Sequence, residues 1–244
     1  MAQEIQHSLE GVGWGLASAD CYQTLGQTTL DLWLISLRQP VQLELLSEDE
    51  LRRFKRYRFE KDQRKFAVAR SSLRRILSSY IQQDPAALSF DYGPYGKPCL
   101  RDNAALQFNL SHSGEYALCG VARKTLGVDI EHLRPMDRLD GLISRCLAPC
   151  EQTVLARIPS EQQSATFLKY WTCKEAYLKA TGQGISESLS AIEVIFDPEP
   201  QLKVSGTSWR LQILIPCDDY TAAVVTSPDI EQIRLWTYQY SLAM

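Results

Sequence analysis

Three carboxylates stand where carboxylates are costly to place. In Leu126-Gly-Val-Asp-Ile-Glu131 apolar residues fall on every second position, the pattern of a strand with one buried face. Leu126, Val128 and Ile130 then point into a core, and Gly127, Asp129 and Glu131 point the other way. Acids two residues apart on one strand have Cα atoms about 6.5–7 Å apart. They repel unless water screens them or a cation lies between them. The third acid, Glu175, interrupts an apolar stripe of Phe167/Leu168, Trp171 and Leu178 on a predicted helix over 160–181. A carboxylate there is paired, protonated or metal-bound, and an i,i+4 pair with Lys179 is the plain alternative. An all-oxygen set suits a hard cation, and Mg²⁺ keeps several waters and accepts substrate phosphates as further ligands. The histidines are His7, His112 and His132, with no Cys/His cluster to favour zinc. The chemistry suggested is Mg²⁺-assisted transfer at phosphorus.

Phosphate needs its own cradle, and three segments offer one. In Tyr95-Gly-Lys-Pro98, Gly96 lets backbone approach a ligand, Lys97 offers a point charge and Pro98 stiffens the turn. The segment lacks the Walker pattern, so it is no P-loop. Phe108-Asn-Leu-Ser-His-Ser-Gly114 leaves a predicted strand into a polar turn, where Ser111, Ser113 and His112 can donate to phosphate oxygens. Residues 51–75 hold eleven Lys/Arg against Glu60 and Asp62, so this segment carries +9 in a chain of net charge −3. Arg52, Arg53, Arg56 and Arg70 could present guanidinium forks to a further phosphate. Part of the block is a solvated helix face, and the acidic remainder of the chain argues against a large nucleic-acid footprint.

These residues need elements to carry them. Residues 1–28 read as irregular. Thr29–Leu37 reads as a strand, and the capping box Ser47-Glu-Asp-Glu50 starts a helix to about Arg56. A second helix spans about 60–82, ended by Asp84-Pro85. Short strands are expected at 88–92, 106–111, 115–122 and 126–131. A short helix falls within 133–149, another over 151–157, and the long helix 160–181 stops at Gly182 and Gly184. Strands at 191–196, 209–215, 220–226 and 233–240 close the chain. Helices and strands are not regularly interleaved, which makes the fold α+β. Two αβ halves, 1–116 with the basic helix and GKP loop and 117–244 with the acids, account for the order. Apolar residues make up 45% and no run approaches a membrane span. The N-terminus lacks a secretory apolar region, and seven cysteines without CxxC pairing read as reduced thiols, so a cytoplasmic location is expected.

Four ordered blocks now carry a family resemblance: GKPCL at 96–100, FNLSHSGEYALCGVA at 108–122, GVDIEHLRP at 127–135 and FLKYWTCKEAYLKATGQGI at 167–185. The last two contain G-[IV]-D-[IVL]-E and W-x-x-K-E-x-x-x-K. The chain, over about 47–226, resembles the Sfp-type 4′-phosphopantetheinyl transferases. The resemblance implies two αβ halves related by pseudo-twofold symmetry, with coenzyme A in the cleft between them. It implies Mg²⁺ on Asp129, Glu131 and Glu175, and coenzyme A against Arg53, Gly96, Lys97, Pro98, Ser111, His112 and Lys179. Family members often carry a second basic residue three before Arg53; here that residue is Glu50, and Arg52, Arg56 or Arg70 would have to compensate.

The implied reaction moves 4′-phosphopantetheine from coenzyme A to a serine of an apo acyl or peptidyl carrier protein, releasing adenosine 3′,5′-bisphosphate. The catalytic set is then Glu175, Lys179, Asp129 and Glu151, with Glu175, Glu151 or a metal-bound water as base and Lys179 steadying the leaving diphosphate. Leu133–Leu155 would meet the carrier helix. The partners expected are carrier proteins, with neither nucleic acid nor membrane, for a monomeric enzyme. A Mg²⁺-dependent phosphate-ester hydrolase and a non-catalytic coenzyme A-binding protein stay open as alternatives.

Overall fold

The computed structural model describes residues 13–16, 25–184, 189–206 and 208–240. The reading of 1–28 as irregular falls mostly outside these residues, as does Ile185 at the end of the fourth block. The first half runs β1 (Gly15–Leu16), β2 (Thr29–Ser36), α1 (Glu48–Arg56), α2 (Glu60–Ile81), β3 (Phe90–Tyr92), β4 (Pro98–Leu100) and β5 (Gln107–Ser113). The chain continues through β6 (Tyr116–Ala122), β7 (Leu126–His132), α3 (Leu139–Cys146), α4 (Pro149–Leu155) and α5 (Ser160–Thr181). It closes with β8 (Glu193–Ile195), β9 (Gln201–Lys203), β10 (Arg210–Leu214), β11 (Tyr220–Thr226) and β12 (Gln232–Tyr238). The fold is α+β. The short strands β1, β4 and β9 escaped the sequence reading because two or three residues cannot show a period.

Two sheets carry the structure, one ordered β1-β12-β2-β6-β5 and one ordered β10-β11-β7. Period-two alternation decides how they stack. Trp33 and Ile35 of β2, with Leu37 just beyond it, pack with Val68, Leu73 and Leu77 of α2, while Leu30, Leu32 and Leu34 face Val128, Ile130 and Val224 of the second sheet. On β11, Ala223 and Val225 turn outward against Ala176, Tyr177 and Ala180 of α5. The result is four layers: α2, sheet, sheet, α5. Each fully buried Leu, Ile or Val in these seams contributes about 1.5–3 kcal/mol.

The C-terminal strand β12 inserts parallel beside β2. Buried Asp31 anchors it, accepting from Arg234 Nε at 2.6 Å, Arg234 Nη2 at 2.7 Å, Trp236 Nε1 at 3.0 Å and the Tyr80 hydroxyl at 2.5 Å. A carboxylate with no exposure persists only with such partners.

Gly127 sets the distance between β7 and α5. A Cβ there would lie 2.1 Å from Ala176 O and 2.2 Å from Ala180 N. Both are helix backbone atoms that cannot step aside, so only glycine lets the acidic face of β7 meet α5. Gly127→Ala is expected to lower stability by about 2–3 kcal/mol through overpacking, read by thermal unfolding. An unchanged midpoint would show that α5 shifts freely.

Candidate active site

The site forms where two edge strands run side by side. β5 ends the first sheet and β7 ends the second. Three β5 side chains on one face bridge them. Asn109 Oδ1 accepts from Val128 N at 2.9 Å. Ser111 Oγ donates to Asp129 Oδ1 at 2.7 Å. Ser113 Oγ donates to Glu131 Oε2 at 2.6 Å and accepts from His132 N at 3.2 Å. The N-x-S-x-S spacing of 109–113 is thus a polar seam that holds both acids of β7 in place. The sequence signal was present as period-two polar residues in a strand, yet Asn109 went unnoticed.

Helix α5 brings the remaining groups. Lys179 Nζ donates to Asp129 Oδ1 at 2.6 Å and to Ser111 Oγ at 2.8 Å. Lys179 therefore pairs across to β7 rather than along its own helix with Glu175. Glu175 Oε1 and Asp129 Oδ2 are both buried without a hydrogen-bond partner. Burial first, then the charges of Asp129 and Glu131, raise the Glu175 carboxyl above its ordinary range, and Lys179 opposes them. Burial, with the Asp129 charge behind it, likewise raises Glu131 against the Ser113 hydrogen bond. The charges of Asp129 and Glu131 thus reach Glu175 across the contact between β7 and α5.

The donor chemistry fits a hard cation: two orphaned carboxylate oxygens, all-oxygen ligands and surplus negative charge. The side chains are not drawn together as a finished ligand set. Among the described residues no three His, Cys, Asp or Glu side chains are disposed to hold a metal ion. The Lys179 ammonium lies on Asp129 instead.

Beside Glu175 and Lys179 opens a cavity of about 220 Å³ lined by Tyr95, Gly96, Lys97, Pro98, Asn109 and Gly182 among others. Gly96 takes φ +80° at the tip of the β3–β4 hairpin. Lys97 does not point a free charge at this space: its Nζ donates to Leu126 O at 3.1 Å and Ala180 O at 3.0 Å. Burial pulls its pKa down to about 8. His112 reaches solvent. Crowding around its ring, then the charges of Lys179, Arg53 and Lys65, hold its imidazolium pKa below the usual value. Cations from α1, α2 and α5 therefore act on one histidine against the opposing charge of Asp129, and Lys65 joins them. Lys65 Nζ sits 3.0 Å from Glu115 Oε1.

A second concavity, of about 680 Å³, is lined by Asp49, Arg52, Arg53, Arg56, Tyr57 and Tyr92. Arg53 also lies 5.4 Å from the Phe66 ring centroid. Glu50, the odd residue of the resemblance, does not face this space. It is 2% exposed, accepts from Arg70 Nε and Arg74 Nε, both at 2.7 Å, and closes the α1 capping box through Ser47 N. Its charge is spent on α2, so it does not repel an anion near Arg53. The same bonds commit Arg70, which leaves Arg52 and Arg56 as the companions of Arg53.

Glu151 is placed differently from the other acids. It is 1% exposed; Oε2 accepts from Lys174 Nζ at 2.6 Å and Ala148 N at 2.7 Å, and Oε1 accepts from Val194 N at 2.7 Å. Lys174 also donates to Cys146 O and Leu189 O. Both oxygens of Glu151 are taken inside the protein, a correction to its candidacy as base: it ties α3, α4, α5 and β8 together. The capping residue of α4, Ala148, has no side chain to offer, and Glu151 supplies the acceptor instead. The six cysteines among the described residues are free thiols.

The fold and this acid-and-base cleft mark a class that the comparisons identify. The model of the 4′-phosphopantetheinyl transferase superfamily matches residues 125–225, and that of the 4′-phosphopantetheinyl transferase N-terminal region matches 36–124. The 4′-phosphopantetheinyl transferase HetI of Nostoc sp. is 42% identical over 225 residues, covering 88% of this chain and 94% of that one. The chain belongs to the 4′-phosphopantetheinyl transferase superfamily. The 4′-phosphopantetheinyl transferase Sfp of Bacillus subtilis is 25% identical over 162 residues, 66% of this chain and 71% of that one. Among solved structures, a holo-(acyl-carrier-protein) synthase from Bacillus anthracis in complex with CoA (3′,5′-ADP) is 29% identical, with a TM-score of 0.38 over 42% of this chain and 93% of that one.

Proposed function

We propose that this chain transfers the 4′-phosphopantetheine group of coenzyme A to a serine of an apo acyl or peptidyl carrier protein, releasing adenosine 3′,5′-bisphosphate. The observation that carries the reading is the pair of buried, unpartnered oxygens, Asp129 Oδ2 and Glu175 Oε1, beside Lys179. Asp129, Glu131 and Glu175 would hold Mg²⁺, which supplies charge neutralisation to the diphosphate when bound. The chain's own groups do the rest. Arg53, with Arg52 and Arg56, receives the 3′-phosphate. Ser111, His112 and Lys179 orient the diphosphate, and the hairpin backbone at Gly96 and Pro98 borders the nucleotide.

Glu175 is the base. Burial, with the charges of Asp129 and Glu131, raises its carboxyl pKa toward that of the hydroxyl it must deprotonate. The serine oxygen forms a bond to the β-phosphorus as the bond to the adenosine 3′,5′-bisphosphate oxygen breaks, and the serine proton moves to the Glu175 carboxylate. Lys179 stabilises charge on the departing oxygen. One chain supplies both the basic and the acidic wall, which supports action as a monomer of two αβ halves, 1–116 and 117–244, with pseudo-twofold symmetry. Free thiols support a cytoplasmic setting, and among the described residues no helix is long and apolar enough to cross a membrane.

The test is intact-mass measurement of a panel of apo acyl and peptidyl carriers after incubation with the protein, coenzyme A and Mg²⁺. A gain of one phosphopantetheine on at least one carrier is expected. No gain on any carrier, with adenosine 3′,5′-bisphosphate released in its absence, would make the protein a hydrolase.

A further inference from the structure

We infer that Lys97 is a positioning residue: its ammonium clasps the tip of the β3–β4 hairpin onto the C-terminal end of α5, beside the cavity that holds Glu175 and Lys179. The two carbonyls it engages belong to elements distant in the chain. Leu126 O opens β7, and Ala180 O lies in the last turn of α5. The last carbonyls of a helix lack intrahelical donors and carry partial negative charge, so they suit an ammonium. Lys97 is thus held by backbone at both acceptors, which leaves its charge directed away from a ligand's phosphates.

The surfaces on either side are shaped for this contact. Gly182 and Gly184 follow α5 with φ of +72° and +65°. A Cβ on Gly184 would lie 3.1 Å from Tyr95 Cβ, and one on Gly182 would lie 3.6 Å from Lys97 Cδ. The hairpin tip therefore rests on two residues without side chains. Its base is fixed independently, by Phe90 beneath Arg70 and Arg74 and edge-on to Phe108. Between base and tip only the three-residue strands Phe90–Tyr92 and Pro98–Leu100 pair, a ladder too short to hold the tip alone. Without the clasp the tip would have to be ordered by the ligand, and binding would weaken by the cost of that ordering.

The role in catalysis rests on the transferase reading, but the clasp is tested without it. Hydrogen exchange is followed in the ligand-free protein at three amides: Gly93 N, bonded to Lys97 O; Gly96 N, bonded to Gly93 O; and Gly182 N, bonded to Leu178 O. Lys97→Met is expected to speed all three by about tenfold and to leave β11 unchanged, as expected for local opening after loss of a charged hydrogen bond. Lys97→Arg, which keeps charge and donors, should restore most of the protection. With coenzyme A as substrate, Lys97→Met should raise KM about tenfold while kcat stays within about threefold, the signature of binding that must order the tip. Unchanged exchange at the three amides with a raised KM would make Lys97 a direct phosphate ligand and overturn the inference. Faster exchange spread equally through β11 would make it a general stability residue and overturn it too. Should Lys97→Met not fold, Lys97→Gln under the same exchange measurement serves in its place.

Discussion

Glu175→Gln is expected to slow phosphopantetheine transfer about 10³-fold, within the usual range for removing a general base, while coenzyme A still binds. The substitution keeps size and one oxygen but removes the proton acceptor. It also takes away one negative charge from a crevice where Asp129 and Glu131 already raise the Glu175 carboxyl. Removing that repulsion should leave folding intact or slightly improved, since a buried carboxylate oxygen without a partner is itself a cost. The measurement is kcat for carrier modification alongside calorimetric binding of coenzyme A. A variant that retains kcat within a few-fold would remove Glu175 as base.

The largest stability effect is expected at an acid outside the cleft. Glu151→Gln leaves the Lys174 ammonium, which is fully buried, with two carbonyls and no counter-charge. Breaking such a pair from one side costs about 3–5 kcal/mol, which for a chain of this size is a fall on the order of 10 °C in Tm. The pH dependence has a definite sign. Burial already lowers the Lys174 pKa from 10.5, and Glu151 is what holds it up. In the variant the folded pKa drops further, so the unfolded chain binds the extra proton between that value and 10.5. Stability of the variant therefore rises with pH across that window, and the deficit against the wild type narrows. A deficit that grows toward alkaline pH would contradict this. Glu151→Gln combined with Lys174→Met should recover part of the loss, because no buried charge remains and the amide oxygen can still accept from Ala148 N or Val194 N.

Much of this arrangement was legible in the residues, and what was not has physical reasons. The alternation of 126–131 and the stripe of 160–181 gave the elements and faces of the three acids, because core packing imposes those periods directly. β7 does turn Leu126, Val128 and Ile130 to one core and Gly127, Asp129 and Glu131 to α5. The partner of Lys179 was not legible: a helical i,i+4 neighbour is visible along the chain, whereas Asp129 comes near only once β7 and α5 pack through Gly127. Glu151 misled for the same reason. Its role as a base came with the resemblance, and the burial that occupies both its oxygens exists only once α3, α4, α5 and β8 pack. Lys97 beside Gly96 reads as a phosphate ligand, yet the acceptors it takes are carbonyls whose nearness depends on where α5 ends. Glu50 looked like a defect in an anion site, and the fold turns it inward to Arg70 and Arg74.

The account depends most on three acids from β7 and α5 sharing one divalent ion. Crystals grown with coenzyme A and Mn²⁺ in place of Mg²⁺ would show this directly by anomalous scattering. One strong peak is expected, bonded to carboxylate oxygens of Asp129, Glu131 and Glu175, with the Lys179 ammonium displaced from Asp129 toward the diphosphate. A map without that peak, with Lys179 still on Asp129 Oδ1 and Glu175 turned from the crevice, would contradict it.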